Sequence, residues 1–119
     1  MRLWLPMMGI RFSTDEVARD GLRLRGALAE LENAVLALFW EGERPSLGTL
    51  TLTLPGGVTS TLLGDRYQVV GQIVGERLAS SYGKMALVST RLGAYAEARA
   101  ARLLLELAER LAGGLAGDG

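Results

Sequence analysis

Hydrophobic and polar residues change their spacing several times along this chain, and each change marks an element. From Gly21 to Glu30 the sequence alternates. Leu22, Leu24, Gly26 and Leu28 face one way, and Arg23, Arg25 and Ala27 face the other. A period of two predicts a half-buried strand. Glu30 to Asn33 is a turn, with Asn33 suited to positive φ. Ala34 to Trp40 is apolar throughout, as in a strand covered on both faces. Thr49 to Leu54 alternates Thr with Leu, and its Leu face is expected to join the core of Leu22 and Leu24. The opposite face then carries Arg23, Arg25, Thr49, Thr51 and Thr53. Pro55-Gly56-Gly57 is a turn, and Thr59 to Leu63 is a short strand leading to a helix. Ahead of these, a strand is expected around Met8 to Phe12, and Pro6 keeps that end of the chain off a central position. Ser13 to Asp20 is polar and reads as a loop or a single helical turn.

The helical spacing begins after Asp65. Asp65 followed by Gln68 has capping-box spacing, with the carboxylate accepting a first-turn N–H and the Gln reaching back. The helix should run from Arg66 to about Tyr82, with Val70, Ile73, Val74, Arg77 and Leu78 at three-and-four spacing. Gly71, Gly75 and Ala79 recur every fourth residue and form a smooth ridge. Two interior glycines cost roughly 1 kcal/mol each relative to Ala. They therefore imply a close neighbour, either the protein's own sheet or a second subunit. Gly83 stops the helix, and Met85 to Ser89 is a short buried strand. Ala94 to Leu111 is a second helix, its stripe made by Tyr95, Ala98, Ala101, Leu105, Ala108 and Ala112. Residues 1–112 are expected to form one domain, and Gly113 to Gly119 a flexible tail.

Strands followed by helix, strand and helix predict an α+β fold. Its sheet would be an antiparallel meander of five to six strands, with both helices on one face. The other face would be left to water or to a partner sheet. Arg23, Arg25, Thr49, Thr51 and Thr53 are thus the candidates for a dimer or partner interface. Asp65, Gln68, Gly71 and Gly75 form the structural motif that seats the first helix.

Composition narrows the chemistry. The 119 residues contain no Cys and no His, which removes thiol nucleophiles, disulfides, imidazole bases and the usual zinc ligands. Formal charge is +0, so nothing global draws the chain to nucleic acid or membranes. Met1 to Ile10 is apolar but has no small-residue cleavage site and is too short to span a bilayer. A cytoplasmic protein is expected. No Gly-Lys-Ser/Thr follows a strand, so there is no phosphate loop. The acidic pairs Asp15-Glu16, Glu30 with Glu32, and Glu41 with Glu43 fall in loops or turns, where solvation accounts for them. No catalytic residue and no cofactor or metal site is expected. Trp4 and Trp40 belong either to the core or to an interface.

Val58 to Leu92 also resembles the proteasome assembly chaperone 4 family and, less closely, its partner chaperone 3. The residues are Thr59-Ser60-Thr61, Leu62-Leu63-Gly64-Asp65, Val74-Gly75-Glu76-Arg77-Leu78-Ala79, Lys84, and Ala86-Leu87-Val88-Ser89 through Leu92, in one register without a gap. Leu38-Phe39-Trp40-Glu41-Gly42 is similar to that family's Leu-Trp-x-Gly strand end. Val74-Gly75 replaces Leu-Ala, and the amino-terminal part matches only in pattern. The resemblance implies a dimer, homo- or heteromeric, that binds proteasome α-type subunits during ring assembly without catalysis. The Arg-for-Lys composition fits a prokaryotic or archaeal homologue. Two other readings stay open: a roadblock- or longin-like dimeric scaffold, and a small anion-binding domain using Arg23 and Arg25.

Overall fold

The computed structural model describes residues 9–19, 21–95 and 97–118. Trp4 and most of the Met1 to Ile10 segment lie outside them. Six strands form one sheet: β1 (Phe12–Arg19), β2 (Leu22–Glu30), β3 (Ala34–Glu41), β4 (Thr49–Thr53), β5 (Thr59–Leu63) and β6 (Met85–Arg91). Two helices, α1 (Gln68–Tyr82) and α2 (Glu97–Asp118), complete the order, with α1 between β5 and β6. The α+β class and the strand-helix-strand-helix carboxyl half are as the sequence predicts.

The sheet order is β1-β2-β3-β6-β4-β5. β6 enters between β3 and β4, parallel to β3 and antiparallel to β4. The sheet is therefore mixed and mostly antiparallel, and the meander is interrupted once. The insertion follows from burial. Met85 to Ser89 is apolar and needs neighbours on both edges, whereas Thr59 to Leu63 is tolerated at an edge.

Both helices lie on one face. A Cβ at Gly26 of β2 would stand 3.0 Å from Leu111 and 3.1 Å from Leu107 of α2. A Cβ at Gly71 of α1 would stand 2.8 Å from Thr51 Oγ1. The registers Gly26↔Phe39, Ala37↔Val88 and Val88↔Thr51 place these positions on the same side. The core between the layers holds Leu24, Leu28, Phe39, Val70, Val74, Val88, Leu104, Leu107 and Leu111, all essentially inaccessible.

Several local expectations are corrected. Ser13 to Asp20 was expected as a loop or helical turn, but most of it, through Arg19, belongs to edge strand β1, of which only Val17 is buried. The carboxyl-terminal tail is helical through Asp118, and Leu115 is buried with its carbonyl accepting from Arg11 at 3.1 Å. Asp65 does not cap α1. The helix begins at Gln68 after Tyr67, which holds φ 62 in the left-handed region, and no side chain caps it. Tyr67 is kept there by its hydroxyl, which donates to the carbonyl of Gly93 and accepts from the Tyr95 N–H at 2.6 Å. This tertiary anchor replaces the local capping box at the start of α1. Gly83 does end the helix, at φ 66, with its N–H on the Ala79 carbonyl at 2.8 Å.

Candidate protein-binding surface

Which β4 residues face outward follows from the glycine ridge of α1. Gly71 and Gly75 are buried, and the side chains beneath them are Thr51 and Thr53. Gly64, just before α1, lies in the same way on Thr49, which a Cβ at Gly64 would meet at 2.7 Å. Helix and strand approach so closely that only a side chain of threonine size fits between them. Thr49, Thr51 and Thr53 are therefore 7%, 0% and 0% exposed and sit in the interlayer core. This corrects their assignment to the open face. Their hydroxyls are handled locally: Thr53 Oγ1 shares a hydrogen with Thr59 Oγ1 at 2.8 Å, while Thr51 Oγ1 has no partner.

The leucines of β4 consequently turn outward. Register aligns Leu52 with Leu87 of β6, and Leu87 with Leu36 of β3. It aligns Leu50 with Leu63 of β5 and with Ser89 of β6, itself opposite Leu38. Leu36, Leu38, Leu50, Leu52 and Leu87 are each partly exposed, and Leu63 is 53% exposed. They form a contiguous apolar strip across the middle of the sheet, on the face opposite both helices. Apolar side chains gathered on one accessible face make it the candidate surface for contact with another protein.

Arg23 and Arg25 do lie on that face, at its β2 margin, because they share a side with Trp40 and Leu38. They are not free anion ligands. Arg25 Nε lies 3.1 Å from Glu16 Oε1, its guanidinium also donates to the Glu43 carbonyl at 3.4 Å, and Arg23 Nε lies 3.8 Å from the same Glu16 carboxylate. Trp40 is 7% exposed, and its indole N–H is buried without a partner. Arg23 and Arg25 lie on this face, and Gly71 and Gly75 lie at the helix–sheet contact. Gln68 is the first residue of α1 and is exposed, so it forms no box with Asp65. The outward leucines were missed. The signal for them was the glycine ridge, which demands small residues on the strand below.

The surface offers shape and apolar area, with charge only at its edge. Among the described residues, no group of three or more His, Cys, Asp or Glu is placed to hold a metal ion. No described helix is long and apolar enough to cross a membrane.

No family model matches the chain. No curated protein matches it either. Among solved structures, it is similar to a chain of a crystal structure described as a novel chaperone complex for yeast 20S proteasome assembly. The TM-score is 0.62 at 9% sequence identity, covering 85% of this chain and 91% of that one. The two share a fold.

Proposed function

We propose that this protein is a non-catalytic, cytoplasmic assembly chaperone that pairs with a second copy and binds proteasome α-type subunits during ring assembly. The observation that carries the reading is the row of leucines on the helix-free face of the sheet. Two such faces, laid together, give the apolar core and polar rim of a stable dimer. The fold shared with the yeast assembly chaperone chain supports a proteasome subunit as the partner, and the Val58 to Leu92 register favours an α-type one. A heterodimer with a paralogue uses the same surface, and the homodimer is the simpler form for a single chain. Affinity is expected to be transient, since the partner must leave when the ring closes.

The other readings are less well supported. A roadblock-type scaffold opens with a helix, whereas the first element among the described residues is β1. An anion-binding domain built on Arg23 and Arg25 would have to displace Glu16 from both.

Leu87→Glu places a charge at the centre of the strip while leaving the core below intact. Light scattering should then show wild type as a dimer at micromolar concentration and the variant as a monomer with an unchanged circular dichroism spectrum. A wild-type monomer would refute the pairing. Native-gel mixing with purified α-type subunits tests the partner, and absence of any complex at micromolar concentration would refute it.

A further inference from the structure

We propose that the crevice at the carboxyl ends of β3 and β6 is a carboxylate-binding site. β3 and β6 are parallel, so both end on the same side of the sheet. α1 runs back from that side to the start of β6, which brings its amino terminus to the strand ends. Carboxyl ends of parallel strands beside a helix amino terminus form a common ligand crevice.

Two adjoining cavities of about 320 and 410 Å³ open there, and Arg66 and Arg91 line both. Neither guanidinium makes an ion pair with any described residue, although Arg19, Arg23, Arg25, Arg77 and Arg110 do. Arg66 lies 5.5 Å from the ring centre of Tyr67, the residue just before α1. α1 itself has no side-chain cap and no acid in its first turn. Its leading N–H groups and the positive end of its dipole, equivalent to roughly half a charge, are thus left for something else to satisfy. A further polar group points to a ligand. Thr90 lines the first cavity, is 3% exposed, and its hydroxyl has no hydrogen-bond partner. A buried hydroxyl left unpaired costs about 1–3 kcal/mol, and an oxyanion in the cavity would relieve it.

Charge selects the kind of anion. Glu41 lines the second cavity, but its carboxylate is engaged, Oε1 with the Gly93 N–H at 2.9 Å and Oε2 with the Tyr95 hydroxyl. Asp65 stands at the rim of the first. These two acids offset the two guanidinium charges. The positive end of the helix dipole and the guanidinium donors of Arg66 and Arg91 remain, so the crevice fits one negative charge and two acceptor oxygens, a carboxylate, better than a doubly charged phosphate. The planar fork of arginine matches that geometry. The carboxylate can belong to a small acid or to the chain end of a bound protein. This assignment is independent of the leucine strip and of the α-subunit reading.

Titration of the full chain by amide and arginine-side-chain NMR tests it. The probes are acetate, N-acetylglycine as a chain-end mimic, and inorganic phosphate, at constant ionic strength. The expected result is saturable shifts at the Arg66 and Tyr67 amides, which line the first cavity, and at the Nε–H of Arg66 and Arg91, with both carboxylates ahead of phosphate. N-acetylglycine well ahead of acetate identifies a protein chain end; equal midpoints identify any small acid. Arg66→Gln and Arg91→Gln, both on the surface, should each weaken binding roughly tenfold, the scale of one charge-assisted hydrogen bond. Thr90→Val should weaken binding while the ligand-free protein melts at the same or a higher temperature, because its orphan hydroxyl is gone. Linear, non-saturating shifts, phosphate binding more tightly than both carboxylates, or unchanged midpoints in both arginine variants would overturn the assignment.

Discussion

A methyl group at Gly71 would stand 2.8 Å from Thr51 Oγ1 and 2.9 Å from its Cγ2. Thr51 is β-branched and fully buried, so it cannot swing away. Gly71→Ala gains about 1 kcal/mol of helix propensity but meets an overpacking cost of about 1–3 kcal/mol. The net expectation is a lower unfolding midpoint. Gly113, in α2, has nothing within 4 Å of the equivalent position. Gly113→Ala should therefore raise the midpoint, by up to about 1 kcal/mol. Denaturant titration of the pair separates a seating contact from mere helix composition, and a midpoint raised in both would mean the ridge is not tight. Two tyrosines add a pH dependence. Tyr95 is raised above its ordinary 10.0, first by the hydrogen bond its hydroxyl donates to Glu41 and then by burial and that carboxylate's charge. Tyr82 is raised by burial and then by Glu30. A raised folded-state value means the fold holds the proton more tightly than the unfolded chain does. Their stability contribution is whole below pH 10.0 and is lost as pH rises through the folded values. Melting between neutral and strongly alkaline pH should show this decline, and Tyr95→Phe should make it shallower.

At the scale of elements, the period of Gly21 to Glu30 was legible because apolar and polar positions separate there by face. The two helices were legible as helices, but their buried faces less so: Ile73 and Ala98, placed in the apolar stripes, are exposed, and α2 buries Ala100, Leu104, Leu107 and Leu111 instead. β1 was not legible, since Ser13, Thr14, Asp15 and Glu16 give an edge strand the composition of a loop. Its pairing comes from elsewhere. Asp15 holds Arg110 at 3.0 Å, and Arg19 holds Glu106 at 2.8 Å, which ties the strand to α2. β4 misled for a different reason. Hydropathy puts leucine inward, but the glycine ridge of α1 admits threonine and excludes leucine, and that constraint lies some twenty residues away. The capping of α1 failed likewise, because Tyr67 reaches Gly93 and Tyr95 across the fold, contacts invisible to local spacing. The end of α2 follows the same rule. Gly113, Gly114 and Gly117 read as a tail, yet Leu115 is 8% exposed and holds the last turns down. Removing residues 113–119 should then cost about 2 kcal/mol, the transfer energy of one leucine side chain. Chemical denaturation of the shortened chain measures it, and an unchanged midpoint would restore the tail.

For the whole molecule, the distribution of charge decides how its two proposed surfaces should respond to salt. The leucine strip lies across the centre of the sheet, and Glu16 pairs with both arginines at its β2 margin, offsetting one of their two charges. Pairing through it removes apolar area and almost no net charge, and the formal charge of +0 leaves no long-range repulsion between copies. The dimer dissociation constant should therefore hold or fall as sodium chloride rises from low to about molar concentration, where the screening length shrinks to roughly 3 Å. Heat capacity should drop on association, the mark of apolar burial. Carboxylate binding at Arg66 and Arg91 should move the other way and weaken with salt, because it rests on exposed charges and a helix end. Sedimentation equilibrium and the NMR titration, run over one salt series, place the two responses side by side. A dimer that falls apart in salt would assign pairing to the charged rim, and Leu87→Glu would then leave it intact.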